Sequence, residues 1–251
     1  MTQWVRFERK GRTEFGTLQD GIVTIHTGDM FAGAKATNET VKLADVRLAA
    51  PCEPSKMVCL WNNFHQLAAK FGFLIPEEPL YFLKAPNALH PPGQPIVRPK
   101  AYAGRIFYEG ELGVVIGKKC SNVSEAEAKD YIFGYTCVND VTAIDLLKKN
   151  PTFDQWVRAK SFDTFGVLGP AIVTGIDPMK LSVRTILNGK EVQNYPVGDM
   201  FFPPHKLVAL VSRDMTLMPG DVIACGTSIG AGPMGAANNT VDIVIDGVGT
   251  L

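Results

Sequence analysis

An α+β, β-rich fold is predicted, with a small N-terminal β unit over residues 1–50 and a main domain over 51–251. Three observations predict it. Short runs of alternating or continuous apolar residues recur along most of the chain, the pattern of strands. Helical patterns are few, short and irregularly placed, unlike the regular strand–helix alternation of a doubly wound sheet. The chain has 251 residues, 46% of them hydrophobic, enough for one sizeable core or for a main domain with a small appendage.

The elements follow in order. "WVRFERKGRTEFGTLQDGIVTIHTG" alternates apolar and polar residues between Gly turns, which gives the N-terminal β unit. Prolines in "KLADVRLAAPCEPSKMVCLW" then lead to an apolar strand at 56–61, so the boundary falls near 50. "NNFHQLAAKFGF" (62–73) has the spacing of a short amphipathic helix. "EPLYFLK" (78–84) reads as a strand, followed by a Pro-rich loop. Strands are expected at 107–116, 131–138 and 169–174. Between them "SEAEAKDY" and "AIDLLKKN" are helical, with Ser124 and Glu127 spaced as a capping box. "VRTILNGKEVQNY" is a hairpin turning on Asn188-Gly189. "HKLVALVSRDM" is a helix, and "TVDIVIDGVGTL" closes the chain with a strand. No internal repeat is visible.

Charge and composition exclude several function classes. Twenty-five basic and 25 acidic residues cancel, and no basic stripe with interleaved aromatics exists, so nucleic acid is not expected as a partner. No apolar run approaches the roughly 18 residues of a membrane span. The charged, alternating N-terminus does not read as a signal peptide, so the sequons at Asn122 and Asn238 are expected to be unused. Five cysteines form no C-x-x-C pair. They read as reduced thiols of a cytoplasmic protein, with Cys225 as small buried packing. "GAGPMG" (230–235) spells G-x-G-x-x-G, but Pro233 and "AANNT" follow where a dinucleotide site needs a helix.

Chemistry is concentrated in "RIFYEGELGVVIGKK" (105–119). Glu109 and Glu111 interrupt an apolar run, and carboxylates are costly to bury unless paired or metal-bound. On a strand, residues two apart share a face, about 7 Å from one another. Asp140 ends another apolar strand, "IFGYTCVND". Three carboxylates without His or Cys suit a hard divalent cation, Mg2+ or Mn2+. Spacing alone leaves a second reading open, in which Glu109 and Glu111 line the wet face of an amphipathic strand.

The ordered set "MVCLWNNF", "EPLYFLKAPNAL", "YEGELGVVIGKK", "GYTCVNDVTAIDL", "QWVRAKSFDTFGVLGP", "LNGKEVQ", "MTLMPGDVIACGTSIGAG" and "VDIVIDGVGTL" resembles the fumarylacetoacetate hydrolase family from about residue 50 to the end. The resemblance implies a mixed β-sandwich roll, a homodimer, and Glu109, Glu111 and Asp140 as ligands of the divalent metal. It also implies that Lys160 is the active-site lysine. Thr227, next to Gly226 in "CGTSIG", would bind the substrate carboxylate by hydroxyl and backbone, and Lys84 and Phe64 would lie near the site.

The sequence departs from that family at the cover of the site. Hydrolases of the family carry N-Y-x-x-H-x-x-E on the short helix, a His–Glu pair that activates water. Here Leu67 and Lys70 take those places. Ile144 and Leu147 replace an arginine and a glutamine that clamp substrate carboxylates. His65 is the one imidazole on the helix, the candidate base of a mobile cover in which Phe64, Leu67 and Phe71 form the apolar side. The expected function is therefore a divalent-metal-dependent enzyme of 2-oxo-acid catabolism, of the aromatic-degradation type. It would work through a metal-bound enolate as an isomerase, decarboxylase or hydratase. The alternatives are an acylpyruvate-type C–C hydrolase and a non-catalytic member that binds a metal-chelated ligand.

Overall fold

The computed structural model describes residues 1–235 and 238–251. Its framework, among those residues, is a 12-stranded mixed sheet. From one edge it runs Lys35–Lys42, Ile22–Thr27, Arg12–Gln19, Thr2–Arg9, Gly166–Thr174, Ile132–Asp140, Gly110–Ile116, Val222–Ala224, Met57–Trp61 and Leu80–Lys84, with two short strands pairing off this path. A four-stranded antiparallel sheet from the C-terminal part packs on one face, and a three-stranded sheet forms beside it.

The N-terminal strands form an antiparallel meander. Its tight turns at Lys10-Gly11 and Asp20-Gly21 have both central residues at positive φ, the twist-matched geometry of two-residue hairpins. Thr2–Arg9 pairs with Gly166–Thr174, so the meander continues the large sheet. Gly16 is required here, because a Cβ would strike the backbone of Thr24 on the neighbouring strand.

Alternation along Gly110–Ile116 divides the core. Leu112, Val114 and Ile116 point to the side where Val183, Tyr195, Ile243 and Ile245 of the four-stranded sheet meet Leu207 and Val211 of the helix Pro204–Asp214. Val115 points to the other side, with Val138, Leu168 and Ile172. The Ser124–Glu127 capping box is formed in both directions. Asn188 and Gly189 turn the predicted hairpin between Ser182–Leu187 and Lys190–Pro196.

Two expectations are corrected. The strand predicted over 107–116 is two strands, Ile106–Tyr108 and Gly110–Ile116, lying in different sheets. The chain bends at Glu109, whose carbonyl accepts the Asp140 N–H at 2.9 Å. The helix predicted over 62–73 is confined to His65–Phe71, because Gly72 terminates it in the left-handed conformation, at φ 67°. Lys160 ends a short helix, Trp156–Lys160, for which the sequence gave no signal. The GAGPMG loop enters a strand, Gly232–Met234. Ala236 and Ala237 of the following "AANNT" lie outside the described residues.

Asp221 locks the start of Val222–Ala224 to the parallel strand Met57–Trp61. It is fully buried and accepts from Ser55 Oγ (2.7 Å), Lys56 N (3.1 Å), Lys56 Nζ (2.5 Å) and Met218 N (2.8 Å). Asp221→Ala strips four donors of their acceptor and is expected to destabilise the fold by about 2–4 kcal/mol in urea denaturation. A loss under about 0.5 kcal/mol would show that water replaces the carboxylate.

Candidate active site

Glu109 sits at the bend between two sheets, Glu111 on the next strand, and Asp140 at the end of the strand paired with it. One oxygen of each lies within 4.8 Å of the others, and no second group of this kind occurs among the described residues. Glu111 and Asp140 are fully buried and Glu109 half-buried. Thr142 donates to Glu109 Oε1 at 2.6 Å, and the Gly226 N–H donates to Glu111 Oε2 at 2.9 Å. Glu111 Oε1 is buried with no hydrogen-bond partner among the described residues. Burial, reinforced by the charges of Asp140 and Glu109, pushes the Glu111 carboxyl well above its ordinary value. A buried, orphaned carboxylate oxygen facing two other carboxylates fits a hard divalent cation.

Two buried lysines face the group. Lys84 Nζ pairs with Asp140 Oδ1 and donates to the Val141 carbonyl at 3.1 Å. Lys160 Nζ lies 2.7 Å from Asp140 Oδ2 and 2.8 Å from Glu109 Oε2. Burial would raise the Asp140 carboxyl, yet Lys160 and Lys84 outweigh it and hold it below the ordinary range. Burial likewise works against the Lys160 ammonium, but Asp140, Glu109 and Glu111 overcome it and raise the group. Lys160 is thus paired with two carboxylates, which favour its ammonium form.

The loop after Val222–Ala224 completes the floor. Gly226 has φ 89°, and a Cβ there would press on the Leu60 carbonyl at 3.1 Å. Thr227 Oγ1 donates to the Gly110 carbonyl at 3.0 Å and accepts from Gln193 Nε2 at 2.9 Å. Its proton is committed to the scaffold. The neighbouring Ser228 Oγ, buried and without a partner among the described residues, is the hydroxyl left over at this end. Cys225 is fully buried, and burial pushes its thiol well up.

A cavity of about 280 Å³ opens above Glu109, Thr142, Lys160, Thr227 and Ser228. Leu67, Lys70 and Phe71 of the short helix line it, but His65 and Phe64 do not. His65 is exposed, its ring 4.2 Å from that of Phe201. Phe64 is a core residue, edge-on to Tyr195 at 4.9 Å. Both point away because the helix is pinned at its start: Asn63 Nδ2 donates to the Cys225 carbonyl at 2.9 Å, and Gln66 N to Asp199 at 2.9 Å. Lys84 supports Asp140 from outside the cavity lining. Thr142, Gln193 and Ser228 escaped the sequence reading. Gln193 reaches the loop from 34 positions away, and no local pattern announces such a contact.

The fumarylacetoacetate (FAA) hydrolase C-terminal family model matches residues 56–251, and an Rv2993c-like N-terminal model matches 2–51. The chain belongs to the fumarylacetoacetate hydrolase family and is an enzyme of that family. It is 36% identical over 244 residues to oxaloacetate tautomerase YisK of Bacillus subtilis, covering 90% of this chain and 80% of that protein. The crystal structure of 2-hydroxyhepta-2,4-diene-1,7-dioate isomerase from Mycobacterium marinum superposes with a TM-score of 0.91 at 37% identity, covering 100% of this chain and 96% of that one. Maleylpyruvate hydrolase from Sphingobium sp. SYK-6, solved with manganese(II) and pyruvate, gives 0.81 at 26% identity over 99% and 97% of the two chains.

Lys84→Met leaves Asp140 with one cation in the core and is expected to cost about 3–5 kcal/mol in urea unfolding. Lys148→Met, which breaks the exposed pair with Asp154, is expected to cost under about 1 kcal/mol. His65→Ala is expected to keep the turnover rate within about twofold, because the imidazole lies off the cavity. A large rate loss in that variant would mean that the helix turns over during the reaction.

Proposed function

We propose that this chain is a divalent-metal-dependent enzyme, using Mg2+ or Mn2+, that acts on a 2-oxo acid through its enolate as an isomerase or tautomerase. Decarboxylation and hydration of the same kind of substrate belong to the same chemistry. One observation carries the reading. Three carboxylates converge beside the Lys160 ammonium, and Glu109 and Lys160 of this group line the floor of a cavity whose cover supplies no His–Glu pair. The named activity of the Bacillus subtilis relative and the manganese and pyruvate of the Sphingobium structure support it.

Glu109, Glu111 and Asp140 would hold the cation, which acts as a Lewis acid toward the 2-oxo group. Lys160 faces the same floor and stabilises negative charge developing on the substrate oxygen. Ser228 Oγ, which has no partner among the described residues, and the adjoining Thr227 backbone would take the substrate carboxylate. Leu67, Phe71 and Phe73 shield the floor from water, which strengthens each of these electrostatic contacts. Where the family's hydrolases activate water, this cavity has Leu67, with Lys70 at its mouth.

The reading extends to a cytoplasmic homodimer. All five cysteines are free thiols, which supports a reducing compartment, and light scattering would measure the assembly.

Chelator-stripped protein is expected to lose catalysis of oxaloacetate keto–enol exchange and to regain it with Mg2+ or Mn2+. Lys160→Ala is expected to lose on the order of 10²–10³ in rate with fold and metal retained. Acylpyruvate cleavage without tautomerase activity would instead assign the C–C hydrolase. Metal-dependent ligand binding without turnover on a broad 2-oxo-acid panel would assign a binding protein.

A further inference from the structure

We infer that the site prefers a 2-oxo acid carrying an apolar tail of aromatic size over one carrying a second carboxylate, so that oxaloacetate reports the chemistry without being the preferred substrate. The inference rests on the metal-chelate reading above and names its substrate class.

Apart from Asn62 and Lys70, the polar side chains that line the cavity sit at its floor. From there a continuous line of rings leads outward. Lys160 Nζ stands 5.0 Å from the Phe82 ring centroid, and Phe82 stacks on Trp156 at 5.1 Å. Trp156 meets Trp61 at 5.9 Å, and Trp61 meets Phe73 at 5.1 Å. Phe73 stacks on Phe71 at 5.6 Å, where the wall reaches solvent with Phe71 56% exposed. All five rings line the cavity.

The opposing positions agree. Leu67, Ile144 and Leu147 stand where a catalytic histidine and a carboxylate-clamping arginine and glutamine were expected from the resemblance, and all three line the cavity. A distal carboxylate placed among them would lose its hydration without an arginine or a glutamine to replace it. Beyond the floor the one charged lining residue is Lys70, which is exposed and makes no ion pair among the described residues. Its ammonium sits 5.6 Å from the Phe71 ring at the solvent end. An aromatic tail would instead bury its faces against Trp61 and Trp156, a favourable transfer that requires no charge partner.

Three oxamates share one metal-chelating head and differ in the tail: oxamate itself, N-phenyloxamate and N-oxalylglycine. Their affinities for the Mn2+-loaded full chain are read by calorimetry and by tryptophan fluorescence, since Trp61 and Trp156 flank the tail. N-phenyloxamate is expected to bind on the order of ten- to a hundredfold tighter than oxamate and to quench the fluorescence, with N-oxalylglycine no tighter than oxamate. Ile144→Arg is expected to reverse the order of the two substituted ligands. Equal binding of all three, or a preference for N-oxalylglycine in the wild type, would overturn the tail assignment while leaving the chelate reading intact. An unchanged phenyl preference in Ile144→Arg would also overturn it, because the tail would then not pass that wall. Failure of all three to bind the metal-loaded protein would overturn the chelate reading and this inference with it.

Discussion

Asp140 is a carboxylate sealed from water, and its charge is kept by two lysines, one on each oxygen. A buried charge without such partners would neutralise or unfold its surroundings. The neighbouring elements are therefore tied together by charge. Lys84 arrives from the sheet's edge strand and Lys160 from a short helix 76 positions further on. Asp140 itself ends a central strand. Glu109 joins the same network through Lys160, and Glu111 lies close enough to feel its charge. The site is thus part of the core.

The bend at Glu109 makes this possible. A strand running unbroken through 107–116 would keep Glu109 and Glu111 about 7 Å apart in the pleat. The observed chain leaves a small sheet at Tyr108 and enters the large one at Gly110, and the two carboxylates close on Asp140 from different directions. The Asp140 N–H to the Glu109 carbonyl and the Tyr195 hydroxyl to the Gly110 carbonyl, at 2.5 Å, hold the bend in place. Both bonds come from elements distant in sequence, so the junction is set by packing on both sides.

Floor and cover follow different logic. The floor is a fixed lattice in which each carboxylate has protein partners and one Glu111 oxygen is left over. The cover is a seven-residue helix pinned at its start by Asn63 and Gln66 and ended by Gly72, with the apolar side chains of Phe73, Leu74 and Ile75 exposed beyond it. The charged groups gather at the floor, while Leu67, Ile144 and Leu147 line the walls.

The sequence by itself determined the β-rich class, the hairpin at Asn188-Gly189, the capping box at Ser124, and the acidic interruptions at Glu109, Glu111 and Asp140 in apolar runs, whereas Lys160 came into view only through the family resemblance. The features it determined are local. Alternation, turn residues and acidic residues within apolar runs are visible within a dozen positions. Tertiary structure alone decided the break at Glu109, the orientation of His65 and Phe64, and the partners of Thr227. A helix of seven residues has no register of its own, so packing of Phe64 on Tyr195 and of His65 on Phe201 chose which face meets the cavity. Gln193 and Thr142 were illegible for the same reason. Each matters through a contact made across 33 or 34 positions, and a hydrogen bond between distant segments leaves no periodic trace in the chain.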